Sequence, residues 1–137
     1  MPVLTMGRDI PNGNLFMDGE YLACDWTLKQ SKDYYDRVVR VVKSIAGALN
    51  AEYGDNPSYR YLHQVITAHP LGGCSMASEK ELGVVDPTGE VFGHPGLYVM
   101  DGSVLPGPVG PNPSMTIAAI SDRAAESIIA DAKKERS

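Results

Sequence analysis

The sequence predicts an α+β fold, in which an antiparallel β-meander and a helix are joined to a loop-rich, short-stranded segment and a long C-terminal helix. Three observations lead to this prediction. An Asp-Gly pair near the N-terminus separates two strand-like runs. Two long stretches carry apolar residues at helical spacing. Between those stretches, glycine and proline cluster in residues 70–113, a pattern that favours turns over long regular elements.

Composition narrows the class of protein. The 137 residues are enough for one ordinary domain, and 43% of them are hydrophobic. A net charge of -5 argues against nucleic acid as the main partner, because nucleic-acid binding favours a basic surface. No apolar run approaches the roughly 20 residues that cross a bilayer, and the N-terminus does not resemble a signal peptide. Two cysteines, Cys24 and Cys74, are too few for a disulfide scaffold, so we expect a cytoplasmic protein.

The first predicted elements are three short strands in an antiparallel meander: residues 3–6, 15–17 and 21–26. Asp18-Gly19 separates the second and third strands and favours a type I′ hairpin, because both turn residues need positive φ. We expect Trp26 and Tyr21 to pack against this sheet or line its edge, and not to bind a ligand.

An amphipathic helix follows, and Ser31 is its predicted N-cap. Its apolar stripe consists of Tyr34, Val38, Val41, Val42, Ile45 and Leu49. Asn50 or Gly54 is expected to end the helix, because both residue types tolerate a left-handed backbone. Residues 59–67 then resemble a strand, which would place His69 just past its end.

The glycine- and proline-rich segment holds most of the candidate site residues. Pro70 prevents His69 from continuing into a helix, and Gly72-Gly73 permits close approach of a flat ligand. Residues 83–93 predict a hairpin, and residues 97–100 predict a short buried strand. That strand is followed by an acidic residue, a flexible residue and a hydroxyl residue: Asp101, Gly102 and Ser103. In layered α/β proteins, ligands usually bind at strand ends of this kind.

The C-terminal helix is the most strongly indicated element. Asn112 can cap it, and Pro113 suits its first helical position. Its apolar face includes Ile117, Ile120, Ala124 and Ile128. The N-terminus of such a helix carries about half a positive elementary charge and free N–H groups. It would stabilise an anionic ligand group placed against residues 112–116.

Without a family resemblance, these residues allow other interpretations of their roles. A histidine beside proline in a turn is more often structural than catalytic, and capping alone explains Asn112. A metal site from His63, His69 and Cys74 matches no zinc ligand spacing. A Cys74–His69 nucleophile pair lacks a visible orienting group, and Cys74 is better explained as a small residue in a tight turn. His63 and His94 are expected to be structural.

Three motifs resemble the C-terminal part of the glucose–methanol–choline (GMC) oxidoreductases, nearest to the bacterial cholesterol oxidase branch. They are His69-Pro70-Leu71-Gly72-Gly73-Cys74, Leu97-Tyr98-Val99-Met100-Asp101-Gly102-Ser103, and Asn112-Pro113. The resemblance implies two domain parts. Residues 1–66 would be the C-terminal part of a substrate-binding domain. Residues 67–137 would be the C-terminal part of an FAD-binding domain and would carry the active-site motifs.

The resemblance also implies roles for individual residues. His69 would accept or position the proton of a substrate hydroxyl while a hydride passes from carbon to flavin N5. Asn112 would hydrogen-bond the substrate oxygen or contact the flavin edge. The implied cofactor is FAD, no metal is implied, and the implied substrate is a small-molecule alcohol, either a sterol or another bulky hydroxyl compound. The residues implied to bind the cofactor are Asp101, Gly102, Ser103, Asn112, Pro113, Ser114, Met115 and Thr116.

The sequence departs from that family in two respects. It contains no G-x-G-x-x-G motif for the FAD diphosphate, and it lacks most of the substrate-binding domain, including an acidic residue that the resemblance implies for catalysis. We therefore expect a C-terminal fragment, a truncated gene product, or one piece of a split enzyme whose FAD-binding half is a separate chain. Alone, the chain is expected to bind FAD weakly or not at all. The alternative is a non-catalytic remnant or oligomerising module, in which a second copy covers the exposed apolar surface.

Overall fold

The computed structural model describes residues 1–134, which form two compact units. The first unit comprises residues 1–68 and the second begins at His69, close to the predicted boundary after residue 66. The mixture of a two-stranded antiparallel sheet and helices confirms the α+β class. The assignment of the two units to a substrate-binding and an FAD-binding domain stays a prediction. The last three residues of the predicted FAD-binding part, 135–137, lie outside the described part of the chain.

The first unit contains a β-hairpin at the predicted position. Strands β1 (Leu15–Asp18) and β2 (Tyr21–Cys24) pair antiparallel, with Leu15 opposite Cys24 and Met17 opposite Leu22. Gly19 has φ of 62°, as the Asp-Gly turn requires. The first predicted strand, at residues 3–6, is wrong, because a strand needs a hydrogen-bonded neighbour and the described sheet has only β1 and β2.

Side chains anchor the N-terminal segment in place of strand pairing. The backbone N–H of Ile10 donates to Ser31 Oγ at 2.8 Å, and Trp26 Nε1 donates to the Ile10 carbonyl at 3.0 Å. Ser31 is buried, and its hydroxyl is therefore used in this contact and not as a helix cap. Trp26 is half-buried, whereas Tyr21 is 79% exposed. The packing role expected for Trp26 is thus present, and Tyr21 lies at the exposed hairpin turn.

Helix α1 (Lys32–Ala48) begins directly after Ser31, as predicted, and Asn50 follows it with φ of 52° in the left-handed region. Its N-terminal turn joins a cluster of aromatic rings. The Tyr35 ring lies 4.9 Å from Tyr34, 6.4 Å from Trp26 and 6.2 Å from Tyr59, measured between centroids. Burial in this cluster raises the pKa of Tyr35 to about 12.

Helix α2 (Pro57–Leu62) occupies the first four residues of the segment predicted as a strand at 59–67, and the other five form no strand, so that prediction is wrong. The physical reason lies just before it. Asn56 Oδ1 accepts a hydrogen bond from the Ser58 N–H at 2.9 Å, and Pro57 takes the first helical position. This start signal outweighs the strand propensity of the tyrosines. The helix ends at His63, whose φ is 52°.

The second unit has a small core of Val85, Val104, Leu105 and Ala124. Isolated bridges replace the predicted strands. Val85 pairs antiparallel with Val91 across a turn closed by the Gly89 N–H and the Asp86 carbonyl, which is a minimal form of the predicted 83–93 hairpin. The predicted strand at 97–100 is reduced to a single bridge between Tyr98 and Glu90.

The long C-terminal helix is confirmed as α3 (Ser114–Lys134). Ala124 is its buried residue, and polar side chains connect the helix to nearby loops. Ser121 Oγ donates to the Met100 carbonyl, and Arg123 Nη2 donates to the Pro87 carbonyl at 2.7 Å. The helix therefore supports the segments that carry the candidate site.

Adjacent valines provide a test of the core. Val85 is 0% exposed and Val84 is 41% exposed. We expect Val85→Ala to lower the free energy of unfolding by roughly 2 kcal/mol, because it removes buried methyl groups and leaves a cavity. Val84→Ala, the matched control, should change it much less. Urea denaturation followed by circular dichroism measures both, and equal effects would contradict the described core.

Candidate functional site

Backbone hydrogen bonds connect the turn after His69 to the short 3₁₀ segment Gly102–Val104. The N–H groups of residues 72, 74 and 76 donate in turn to the carbonyls of Gly102, Ser103 and Val104, at 3.3, 3.1 and 2.8 Å. Every second residue of the 72–76 turn thus donates to one of three consecutive residues of the 102–104 segment. The two motif-bearing segments are thereby held side by side, although about 30 residues separate them in sequence.

Gly102 lies where three segments meet and is buried. A Cβ at this position would lie 3.0 Å from Leu71 Cδ2, 3.1 Å from Ile117 Cδ1 and 3.3 Å from the Pro70 carbonyl oxygen. These distances are tighter than most carbon contacts, so a glycine permits the close approach. The His69 turn, the 102–104 segment and the first turns of α3 are packed together at this point.

The start of α3 carries the predicted cap. Asn112 Oδ1 accepts hydrogen bonds from the Ser114 N–H at 2.9 Å and from Ser114 Oγ at 2.6 Å. Pro113 is buried, and its carbonyl accepts from the Ile117 N–H at 2.8 Å, which begins the helical hydrogen bonding. Asn112, Ser114 and Thr116 are exposed, and Met115 is 83% exposed. The helix terminus is therefore accessible to a ligand.

His69 approaches this terminus. Its Nε2 lies 3.4 Å from Ser114 Oγ, and its ring is half-buried. His69, Ser114 and Asn112 thus form one contiguous polar cluster, which we call the His–Ser–Asn cluster. It unites the two predicted catalytic residues, His69 and Asn112, through a side chain that the sequence reasoning assigned only to cofactor binding.

Asp101 and Ser103 lie at the other edge of the same packed region. Asp101 Oδ1 accepts from the Ser103 N–H at 2.8 Å and from Ser103 Oγ at 2.5 Å. These hydrogen bonds, the side-chain one foremost, hold the pKa of Asp101 below its ordinary value of 3.8. The carboxylate is exposed and ionised at neutral pH. Gly102 lies between these two residues in sequence and packs against the turn that follows His69.

Sequence reasoning missed two features of the site. Leu71 belongs to the His69 motif and Ile117 to the predicted apolar face of the C-terminal helix, but their packing against Gly102 was not predicted. The bridging hydroxyl of Ser114 was also missed, although a signal for its local geometry exists. Asn56-Pro57-Ser58 repeats the tripeptide and starts α2 with the same 2.9 Å bond from serine N–H to asparagine Oδ1.

The other histidines and a surface cleft lie apart from the His–Ser–Asn cluster in sequence. Within residues 1–134, no group of three or more His, Cys, Asp or Glu side chains is placed to hold a metal ion. His63 is exposed in a left-handed helix terminus, and His94 is exposed in a turn, where its N–H donates to Val91. A cleft of about 300 Å³ lies in the first unit and is lined by Asp36, Val39, Arg40, Asp55 and Tyr59. It contains none of the predicted site residues.

Comparison with known proteins identifies the family. A family model described as GMC oxidoreductase matches residues 11–121. The chain therefore belongs to the GMC oxidoreductase family, and it corresponds to the C-terminal domain of that family.

Individual relatives agree with this assignment. A cholesterol oxidase from Acinetobacter baumannii is 53% identical over 58 residues, which are 42% of this chain and 10% of that protein. A cholesterol oxidase from Mycobacterium tuberculosis is 38% identical over 89 residues, 65% of this chain and 14% of that protein. A long-chain-alcohol oxidase from Arabidopsis thaliana is 32% identical over 106 residues, 77% of this chain and 13% of that protein.

The chain thus spans about 10–14% of the length of these curated relatives. No solved structure matches it. Among residues 1–134, no helix has both the length and the apolar character to cross a membrane.

The Asp101–Ser103 pair gives a test of the site's electrostatics. We expect Ser103→Ala to raise the pKa of Asp101 toward 3.8, because the largest cause of the depression is the lost side-chain hydrogen bond. The backbone N–H remains and preserves part of the shift. A depressed pKa stabilises the fold above the unfolded-state pKa, and this stabilisation is lost as pH falls through the folded-state value. The free energy of unfolding of the Ser103→Ala variant should therefore decrease less than that of the wild type as the pH is lowered.

NMR titration of the Asp101 carboxyl carbon measures the pKa directly. Thr88→Ala is the control, because Thr88 makes the same kind of contact with Asp86 and none with Asp101. An unchanged Asp101 titration in Ser103→Ala would show that the hydroxyl does not hold the carboxylate.

Proposed function

We propose that this chain supplies the catalytic histidine and the cofactor-facing helix terminus of an FAD-dependent alcohol oxidoreductase that oxidises a CH–OH group. The observation that carries the proposal is the His–Ser–Asn cluster. It places an imidazole and an amide together at the accessible N-terminus of α3, in a chain of the GMC oxidoreductase family. The 101–103 segment is packed against the same helix through Gly102.

The roles of the two catalytic residues follow from their chemistry. A histidine imidazole can act as a general acid or base through its ring nitrogens, so His69 can accept or hold the hydroxyl proton of a substrate. Asn112 brings amide donors to the same point and can hydrogen-bond an oxygen on which negative charge develops. Together the residues would orient the hydroxyl of an alcohol and stabilise its oxygen.

The residues at the start of α3 fit one end of a flavin. Exposed residues 114–116 present the first turn of the helix, whose partial positive charge favours an anionic ring edge. When bound, FAD would supply the acceptor for the hydride that leaves the alcohol carbon. The residues proposed to contact it are the predicted ones: Asp101, Gly102, Ser103, Asn112, Pro113, Ser114, Met115 and Thr116.

The FAD diphosphate is not accounted for by this chain, whose 137 residues contain no G-x-G-x-x-G motif. We therefore propose that residues outside these 137 hold the diphosphate and that a separate chain can supply them. The hairpin supports this proposal. Leu15, Met17, Leu22 and Cys24 share one face of the strands by register and alternation, and all four are exposed. An isolated two-stranded hairpin is marginally stable in water. We therefore expect this apolar face to pack against further protein structure.

The proposed substrate is a bulky apolar alcohol. Relatives similar to this chain are named cholesterol oxidase and long-chain-alcohol oxidase. Both names describe oxidation of a hydroxyl on a large hydrocarbon. A sterol and a long-chain primary alcohol are therefore the first compounds to assay.

A second candidate function is a non-catalytic oligomerising module. The exposed apolar hairpin face favours this candidate as well, because a second copy of the chain could cover it. The two candidates differ in their response to a complementing chain. An oligomerising module gains no activity from one, whereas half of a split enzyme does.

The missing diphosphate-binding motif leads to a prediction about flavin content. We expect the purified chain alone to show no flavin absorbance, because it lacks a diphosphate-binding motif. Co-expression with the product of a neighbouring reading frame that encodes G-x-G-x-x-G should yield a yellow complex. Absorbance spectra and FAD titration measure both states. A stoichiometric flavin in the isolated chain would contradict the split-enzyme proposal.

The proposed catalytic role of His69 leads to a prediction about the reaction rate. In the complemented enzyme, we expect His69→Gln to lower kcat by about 10²–10⁴-fold, the usual contribution of a positioned acid–base group. His94→Gln is the matched control, because His94 lies exposed in a turn outside the cluster. Alcohol-dependent flavin reduction in a stopped-flow instrument is the measurement. Equal rates for the two variants would remove His69 from the mechanism.

A further inference from the structure

Ser114 contacts both proposed catalytic residues through one oxygen. Its Oγ lies 2.6 Å from Asn112 Oδ1 and 3.4 Å from His69 Nε2. We propose that Ser114 is a positioning residue, which fixes the amide orientation of Asn112 and places the proton of neutral His69 on Nε2. The catalytic meaning of this proposal rests on the proposed function, but the tautomer itself is a property of the chain alone.

The orientation of the Asn112 amide follows from a backbone donor. The Ser114 N–H lies 2.9 Å from the Asn112 side chain, and a backbone N–H can only donate. The atom facing it must therefore be the carbonyl oxygen Oδ1. The cap thus uses the acceptor end of the amide, and the end that faces away from it carries the two N–H donors.

The same oxygen determines the direction of the Ser114 hydroxyl. Oδ1 has no proton to give, so the short contact with Ser114 Oγ requires that the hydroxyl donate to it. A serine hydroxyl has one proton, and it is now committed to Asn112. Toward His69, Oγ can offer only a lone pair.

The tautomer of His69 follows from that commitment. The 3.4 Å contact between Ser114 Oγ and His69 Nε2 is a hydrogen bond only when Nε2 carries the proton. The neutral ring is then held with Nε2–H toward the cluster. In this state the single Nε2–H proton is given to Ser114 Oγ, whereas the Asn112 amide keeps its N–H donors for an oxygen gaining negative charge. Ser114 therefore holds the His69 ring with Nε2 in the cluster, beside the Asn112 donors.

The repeated tripeptide supplies an internal control. Ser58 occupies the same place after Asn56-Pro57, and its N–H makes the same 2.9 Å bond to the asparagine oxygen. Ser58→Ala therefore removes a serine hydroxyl from an equivalent helix start. Ser114→Thr keeps the hydroxyl at position 114. Ser114→Ala removes it but retains the backbone N–H that caps α3.

The experiment is ¹⁵N NMR of the full chain labelled at histidine, at about pH 8.5, well above the ordinary histidine pKa of about 6.5. His69→Gln assigns the His69 ring signals among the three histidines. The wild type should show protonated Nε2 at His69. Ser114→Ala should lower the ratio of Nε2–H to Nδ1–H tautomer by about fivefold, the effect of losing one typical net hydrogen bond. Ser114→Thr and Ser58→Ala should retain the wild-type ratio.

Two results would overturn the proposal. One is a wild-type His69 protonated mainly on Nδ1, and the other is an unchanged ratio in Ser114→Ala with helical content intact by circular dichroism. A changed ratio in Ser58→Ala would point to a general effect on folding. Because no flavin or alcohol is present, this test is independent of the proposed enzyme activity. Loss of that activity in a complemented enzyme would leave the tautomer result standing.

Discussion

The contact between the turn at 72–76 and the 102–104 segment is the constraint on which the second unit depends. Three backbone N–H groups of the turn donate to consecutive carbonyls of the segment, and Gly102 lets Leu71 and Ile117 approach from either side. Backbone donors and acceptors buried without partners would be costly, so these bonds specify the pairing strongly. His69 precedes the turn, and α3 supports the segment. The site is therefore assembled by loop hydrogen bonds and one helix, with no extended sheet.

The two units differ in how complete their packing is. The second unit has a small buried core in Val85, Val104, Leu105 and Ala124. Ser31 is the one fully buried residue described in the first unit, and both faces of the hairpin carry exposed apolar side chains. This asymmetry agrees with the proposal that the apolar face of the hairpin packs against further protein structure. The polar cluster at α3, in contrast, is formed by residues of the second unit alone.

Local signals in the sequence predicted the elements whose start or turn chemistry is self-contained. Asp18-Gly19 specified the hairpin, and Asn112-Pro113 specified the start of α3. The strand predicted at 3–6 failed because its partner would have to lie elsewhere, and periodicity says nothing of partners. Tyrosine-rich residues 59–67 suggested a strand, but the Asn56-Pro57 cap favoured a helix. Family resemblance selected His69, whereas the Ser114 bridge depends on a contact across 45 residues that no local pattern encodes.

The paired Asn-Pro-Ser tripeptides separate the structural role of the motif from its proposed chemical one. At 56–58 the asparagine starts a short helix through its Oδ1, and the identical local bond recurs at 112–114. Capping therefore explains why asparagine, proline and serine occur together, and it carries no implication of catalysis. What distinguishes the second copy is His69, which the 72–76 contact brings to within hydrogen-bonding distance of the serine. Because the cap uses only the acceptor end of the amide, Asn112 retains its donors for a ligand, and the two roles do not compete.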